Sequence, residues 1–354
     1  MNFDTVIHSG TIATADLTAR GDIGIRDGRI VAVAEKLSGG ARRIDAGGRI
    51  VMPGGIEAHA HIAQESSSGI MTADDYLSGS VSAAFGGNST IIPFAAQQRG
   101  QSVDDVIATY ASRAAPSVLD YSWHLIITDP SEDVLNDQLP RAFAMGITSF
   151  KVFMTYDLMN LGDGGMLDIL SVARQHGAIT MVHAENNDMV KWMNRQLAAK
   201  GLSAPKYHAI SRPQLAEEEA INRAIQLAKL VDAPLFIVHV STAGGAGIVR
   251  REKFNGAKLF AETCPQYLAL TRDDLDRPGM EGAKYICSPP LRGTDTQEAL
   301  WHHLAMGTFE SVSSDHAPYR ADATGKFLHG TDAPYPKLAN GMPGIGARLP
   351  CLFS

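Results

Sequence analysis

The sequence predicts an α/β protein: a (β/α)8 TIM-like barrel preceded by a small, incomplete N-terminal β-sandwich module. Three observations carry this. Beyond Pro53, short apolar runs alternate with longer stretches of helical period. Eight such runs occur, several of them ending on a histidine or an aspartate. The first 52 residues hold only short strands and tight turns. The length of 354 residues fits, because a barrel of this kind uses ~250 residues as one unit.

The expected division is 1–52 for the β module and 53–354 for the barrel. In the module, Ile23 to Arg26 and Arg29 to Val33 flank Asp27-Gly28, a pair suited to a two-residue hairpin turn. Gly47-Gly48 predicts a second turn. In the barrel, strands are expected to end near His59, Phe94, Ile127, Phe153, His183, His239, Thr263 and Asp315. Helices are expected over Ala73 to Phe85 with Thr72 as N-cap, Val103 to Ala114, Met166 to His176, and Glu217 to Val231. Strand-helix alternation of this kind implies a parallel sheet closed by helices.

Composition narrows the function classes. Hydrophobic residues make up 45% and charged residues 19%, which suits a globular core. The net charge of −7 and the lack of basic clusters argue against a nucleic-acid partner. No apolar run approaches the ~20 residues of a membrane span, and Met1 to Gly10 does not read as a secretory signal. Three scattered cysteines, Cys264, Cys287 and Cys351, make no disulfide framework, so a reducing cytoplasm is expected.

The chemistry lies at the strand ends. In His59-Ala60-His61, side chains at i and i+2 of an extended strand point the same way, so both imidazoles can reach one point. His183, His239 and Asp315 each cap an apolar run, where a barrel presents its functional groups. Alone, each is an ordinary loop-capping residue. Together they form a ligand set for Zn2+ or a similar first-row metal. Lys151 lies inside the apolar strand Ser149 to Met154. An unpaired buried lysine is costly, so it either pairs with a carboxylate or reacts with CO2. The resulting carbamate is an anion able to bridge two cations, and beside the histidines that reading prevails.

The set His59-x-His61, Lys151, His183, His239 and Asp315 resembles the amidohydrolase superfamily. Pro53-Gly54-Gly55-Ile56, Ser149-Phe150-Lys151-Val152-Phe153-Met154, Cys264-Pro265-Gln266-Tyr267 and Ser288-Pro289-Pro290-Leu291-Arg292 are similar to its dihydropyrimidinase and D-hydantoinase (phenylhydantoinase) branch. So are Ser314-Asp315-His316-Ala317-Pro318 and Asn340-Gly341-Met342-Pro343-Gly344. The resemblance implies a binuclear hydrolase that opens a dihydropyrimidine or 5-substituted hydantoin to an N-carbamoyl amino acid, using a hydroxide shared by two divalent metals, expected to be Zn2+. It implies that His59, His61 and Asp315 hold one ion, that His183 and His239 hold the other, and that carbamylated Lys151 bridges them. It further gives Asp315 the proton transfer, Tyr156 the oxyanion, and the backbone of Ser288 and Asn340 the ring amide. A homo-oligomer, dimer or tetramer, is implied as well.

Two departures stand out. Family members continue well past this point, so the chain is expected to be truncated at its C-terminus and the β module short of cover. Around His59 the family commonly has Asp-Pro-His-Thr-His, where this chain has Glu57-Ala58-His59-Ala60-His61. The loop that follows, Ile62 to Gly69, is polar, and it is expected to disfavour aromatic substituents if Gln64 and Glu65 face the substrate. An allantoinase or cyclic-imide hydrolase is the alternative, and a catalytically inactive scaffold relative a further one.

Overall fold

A computed structural model of the chain describes residues 2–66 and 69–354. Ser67 and Ser68, part of the polar loop, lie outside the described residues. Contacts divide the chain into two compact units, Met1–Gly55 and Ile56–Ser354.

The first unit is one five-stranded sheet. Its strands are β1 (Thr5–Ala13), β2 (Thr18–Arg26), β3 (Arg29–Ala34), β4 (Arg42–Asp45) and β5 (Ile50–Val51). The order is β3-β2-β1-β4, with β5 also paired to β1. Asp27 and Gly28 both take positive φ, 52° and 70°, as a two-residue turn between β2 and β3 requires. Apolar side chains remain in the open on the later strands, with Ile30 64% exposed and Ile50 61%.

The second unit carries ten strands: β6 (Gly55–Glu57), β7 (Asn88–Ile91), β8 (Phe94–Ala96), β9 (Asp120–Tyr121), β10 (His124–Ile126), β11 (Ser149–Phe153), β12 (Ile179–His183), β13 (Leu235–Ile237), β14 (Leu259–Thr263) and β15 (Ser311–Val312). Seven of them form a parallel sheet in the order β15-β14-β13-β12-β11-β10-β8. The chain leaving β6 joins its two edges. Phe94 N–H donates to Ala60 O at 3.0 Å, and His61 N–H donates to His316 O at 2.6 Å. These bonds complete an eight-membered ring, so the (β/α)8 expectation holds.

Helices separate the strands: α1 (Tyr76–Phe85), α2 (Val103–Ala114), α3 (Leu139–Ala144), α4 (Gly162–His176), α5 (Asn187–Ala199), α6 (Tyr207–Ser211), α7 (Gln214–Leu230), α8 (Ala243–Phe254), α9 (Pro265–Ala269), α10 (Thr294–Ala305) and α11 (Arg348–Phe353). Helix α1 starts later than expected. Asp75, not Thr72, is its N-cap: the Asp75 carboxylate accepts from Ser78 N–H, and Asp75 N–H donates back to Ser78 Oγ. Thr72 Oγ1 instead accepts from Gln64 N–H at 3.0 Å. Helices α4 and α7 begin earlier than their apolar periodicity does, because first-turn residues need not be buried. Among the described residues, no helix is long and apolar enough to cross a membrane.

Strand alternation sorts the core. Phe150 and Val152 belong to the large cluster that packs sheet against helices. Phe94, Ile126, Phe153, Met181 and Val238 form a separate cluster within the ring. Lys151 shares the face of Phe153, so its stem rises through this inner cluster.

The ring is bolted at its seam. From α11, Arg348 donates to Val312 O and to Ile56 O, both at 3.0 Å, and to the Asn88 side chain. Its Nε lies 3.0 Å from Glu57 Oε2, a charge contact without a hydrogen bond. The other oxygen of Glu57 accepts from His59 N–H and Ser314 N–H.

Two buried histidines outside the expected ligand set should make the fold acid-sensitive. His124 Nε2 donates to Ala58 O at 2.9 Å, and His208 Nε2 donates to Cys287 O at 2.8 Å. Burial pushes His124 down to about 4 and His208 down to about 3. Both folded values lie below the ordinary imidazole value. Their stabilisation is therefore complete above pH ~6.5 and is lost as pH falls toward the folded values. Between pH 7 and pH 5 each should cost about 2 kcal/mol. Urea unfolding of metal-free protein across that range checks this; a flat midpoint would show that neither histidine is buried neutral.

Candidate active site and metal centre

Every residue expected from the sequence lines one cavity of about 600 Å³: His59, His61, Lys151, Tyr156, His183, His239, Ser288, Asp315 and Asn340. The cavity opens at the C-terminal ends of the barrel strands, where loop residues can approach one another from all sides.

Its floor is polar and buried. His59 Nε2 is 3.0 Å from Asp315 Oδ1, and His61 Nε2 is 3.4 Å from the same oxygen. One ligand atom from each of the three lies within 4.8 Å of the others, a grouping that could hold a metal ion. His183 and His239 stand beside it. Their ring centroids are 4.5 Å apart, and the His239 ring is 5.5 Å from that of His59. Among the described residues, the buried His239 Nδ1 has no hydrogen-bond partner, and His59 Nε2 faces the Asp315 carboxylate.

Three other ring nitrogens are turned outward by acceptors. His59 Nδ1 donates to Glu262, whose second oxygen accepts from Ser313 Oγ at 2.6 Å. His61 Nδ1 donates to Gln64 Oε1 at 2.8 Å. His183 Nε2 donates to Glu185 Oε2 at 2.6 Å. An imidazole that donates at one nitrogen presents a lone pair at the other, so three rings are oriented as metal ligands.

Charge follows the same arrangement. Burial alone would raise the Asp315 carboxyl, but His59 and His61 hold it well below the usual carboxylate range. Lys151 is 1% exposed, and among the described residues its Nζ makes no ion pair or hydrogen bond. It lies over the Phe94 and Phe153 rings, at 4.8 and 5.4 Å. Burial brings its ammonium down to about 8.

The wall is set by backbone as much as by side chains. Tyr156, His239 and Asp315 all have positive φ, 66°, 42° and 46°. Non-glycine residues hold such values only where the surroundings impose them, and that pattern clusters at functional sites. The Tyr156 ring lies 5.6 Å from His183, with the Arg212 guanidinium 5.2 Å from its centroid. Arg212 is in turn held by Glu185 at 2.6 Å.

No protein-family model matches the chain. Curated relatives do. A D-hydantoinase from Ralstonia pickettii is 42% identical over 352 residues, covering 99% of this chain and 76% of that protein. This chain belongs to the D-hydantoinase and dihydropyrimidinase family. A solved D-hydantoinase structure superposes with a TM-score of 0.95 at 41% identity, over 99% of this chain and 76% of that one. A dihydropyrimidinase from Brevibacillus agri gives 0.95 at 38% identity, over the same shares.

In this D-hydantoinase relative, sequence reasoning missed the residues that orient the ligands. Glu185 lies two positions beyond His183 on one extended stretch, a spacing that sends both side chains the same way. Glu262 is a carboxylate within the apolar strand β14, as anomalous there as Lys151 is in β11. Either could have been flagged by residue type alone. Gln64 could not. It lines the cavity, as the expectation for the polar loop required, and its amide oxygen also accepts from His61 Nδ1. Glu65 is exposed and lines the cavity.

Proposed function

We propose that this chain hydrolyses a cyclic amide, a dihydropyrimidine or a 5-substituted hydantoin, to an N-carbamoyl amino acid. The observation that carries the reading is the convergence of all nine expected residues on one cavity in a chain of this family. A cytoplasmic location and a dimer or tetramer complete it. The free thiols Cys264, Cys287 and Cys351 suit a reducing compartment. We also take residues 1–52 as a β module distinct from the barrel at 53–354.

The donor set fits two divalent ions. His59, His61 and Asp315 would hold one, and His183 and His239 the other. The unpartnered His239 Nδ1, the close grouping of His59, His61 and Asp315, and rings turned by outer acceptors support this, and Zn2+ suits such donors. Lys151 would bridge as a carbamate. Its neutral amine adds to the carbon of CO2, an N–C bond forms, and one amine proton leaves. A buried cation becomes an anion between two cations. When bound, the ions would supply a water acidic enough to act near neutral pH and a positive charge to polarise the amide carbonyl.

The chain's own groups do the rest. Backbone at Ser288 and Asn340 holds the ring amide. Tyr156 donates its hydroxyl to the carbonyl oxygen as that atom gains charge. Burial keeps the phenol protonated, against the pull of Arg212. Asp315, ionised at neutral pH, takes the proton of the attacking water and returns it to the leaving nitrogen.

Two measurements test this. Protein expressed with added metal should hold about two equivalents of Zn2+ or a similar ion. Under half an equivalent in folded protein would remove the reading's basis. A panel of dihydrouracil, hydantoin, 5-phenylhydantoin, allantoin and succinimide, followed by ring-opening absorbance, identifies the substrate. Turnover of allantoin or succinimide alone would replace the proposal with an allantoinase or a cyclic-imide hydrolase.

The ring substituent would face Phe153, Leu158 and Met159 on one side and Glu65 on the other. Leu158 is 59% exposed, on the cavity wall. Leu158→Ala should lower kcat/KM for 5-phenylhydantoin about tenfold through lost burial, and leave dihydrouracil nearly unchanged. Equal loss on both substrates would place the substituent elsewhere.

A further inference from the structure

Lys326 is buried to 2% exposure, yet among the described residues it pairs with no carboxylate. Its ammonium instead donates to two backbone oxygens, Ile286 O at 3.1 Å and Ala339 O at 2.8 Å. Those carbonyls belong to two segments remote in sequence. Ile286 stands two residues before Ser288, and Ala339 directly precedes Asn340. A third bond ties the same segments, from Gly341 N–H to Ile286 O at 3.0 Å. The lysine's own backbone is fixed by a bond from its N–H to Arg320 O at 2.8 Å.

Burying an ammonium without a counter-charge costs several kcal/mol, and two neutral carbonyls offset only part of that. A residue chosen for stability alone would be apolar here. What an ammonium does that an apolar group cannot is hold two acceptors at a set separation from one point. The side chain is a strut between the two segments that bring Ser288 and Asn340 to the cavity wall.

We propose that Lys326 is a positioning residue whose ammonium fixes the spacing of the Ser288 and Asn340 segments, and so the tightness with which the ring amide is held. This rests on the cyclic-amide reading for its substrate, though not for its geometry. Lys326 lies outside the metal centre, so binding should suffer before metal content or chemistry does.

Lys326→Met keeps the length of the side chain and removes the donors. KM for the ring substrate that the parent protein opens best should rise about tenfold to a hundredfold, a misplacement effect. The value of kcat and the metal content should change little. Hydrogen exchange should accelerate at 284–290 and 338–343 together, and not in peptides carrying His59, His183 or Asp315. Unchanged KM, or kcat and metal falling together, overturns the proposal. If the parent protein opens no cyclic amide, the functional reading fails and the exchange result alone decides: without faster exchange in both segments the strut is excluded. Should the methionine variant not fold, Lys326→Gln is read in the same way. Failure of both to fold also overturns it, because Lys326 would then support the whole barrel.

Discussion

Lys151→Ala should abolish metal binding and activity together, lowering kcat/KM on the order of a thousandfold or more. On the proposed carbamate bridge, the site would lose an anion from between two cations, and the two ions would then repel each other unscreened. Short carboxylic acids should restore part of both, since acetate or propionate can enter the space left by the lysine stem among Phe94 and Phe153. Metal content and turnover, measured with and without the acid, check this. An alanine variant with full activity would rule out the bridging role, whatever its metal content.

Arg348→Ala should be the most damaging single change to stability. It breaks a buried charge pair and leaves Glu57 uncompensated with no exposed surface, which typically costs about 3–5 kcal/mol. It also removes donors from Ile56 O and Val312 O at the two ends of the ring. The pair's electrostatic share can be separated with Glu57→Gln: the double variant should recover part of the loss, because no buried charge then remains. Denaturant midpoints for the four proteins give the coupling energy. A loss under about 1 kcal/mol would mean that Arg348 is dispensable.

The sequence made the site legible because metal chemistry is written in residue types. Histidines and an aspartate at the ends of apolar runs are conspicuous, and a barrel's topology brings strand ends together whatever lies between them. Lys151 was visible for the same reason, as a charge in an apolar strand. What stayed hidden were contacts made across the fold by residues unremarkable in type. Lys326 reaches its acceptors through a loop without periodicity, and Gln64 reads as part of a polar substrate loop with nothing in its residue type to mark its bond to His61. The start of α1 was misplaced because Thr72 and Asp75 are both good caps, and only the reciprocal bonds with Ser78 decide between them. Strand pairing at Ala60 gave no sign either, since single bridges leave no hydrophobic pattern.

That seam bears on how the chain is made. Seven strands can pair in sequence as they leave the ribosome, each beside its predecessor. The contacts that shut the ring cannot. Ser314 reaches Glu57 across 257 residues, and Arg348 reaches Ile56 across 292. Loops of that size close slowly, because their entropy is lost before any contact repays it. Until α11 emerges, Glu57 has no counter-charge and the edges at β8 and β15 are open to other chains. Synthesis therefore passes through an aggregation-prone intermediate before α11 emerges, and yield should depend on temperature and chaperone supply during that interval more than on the stability of the finished barrel.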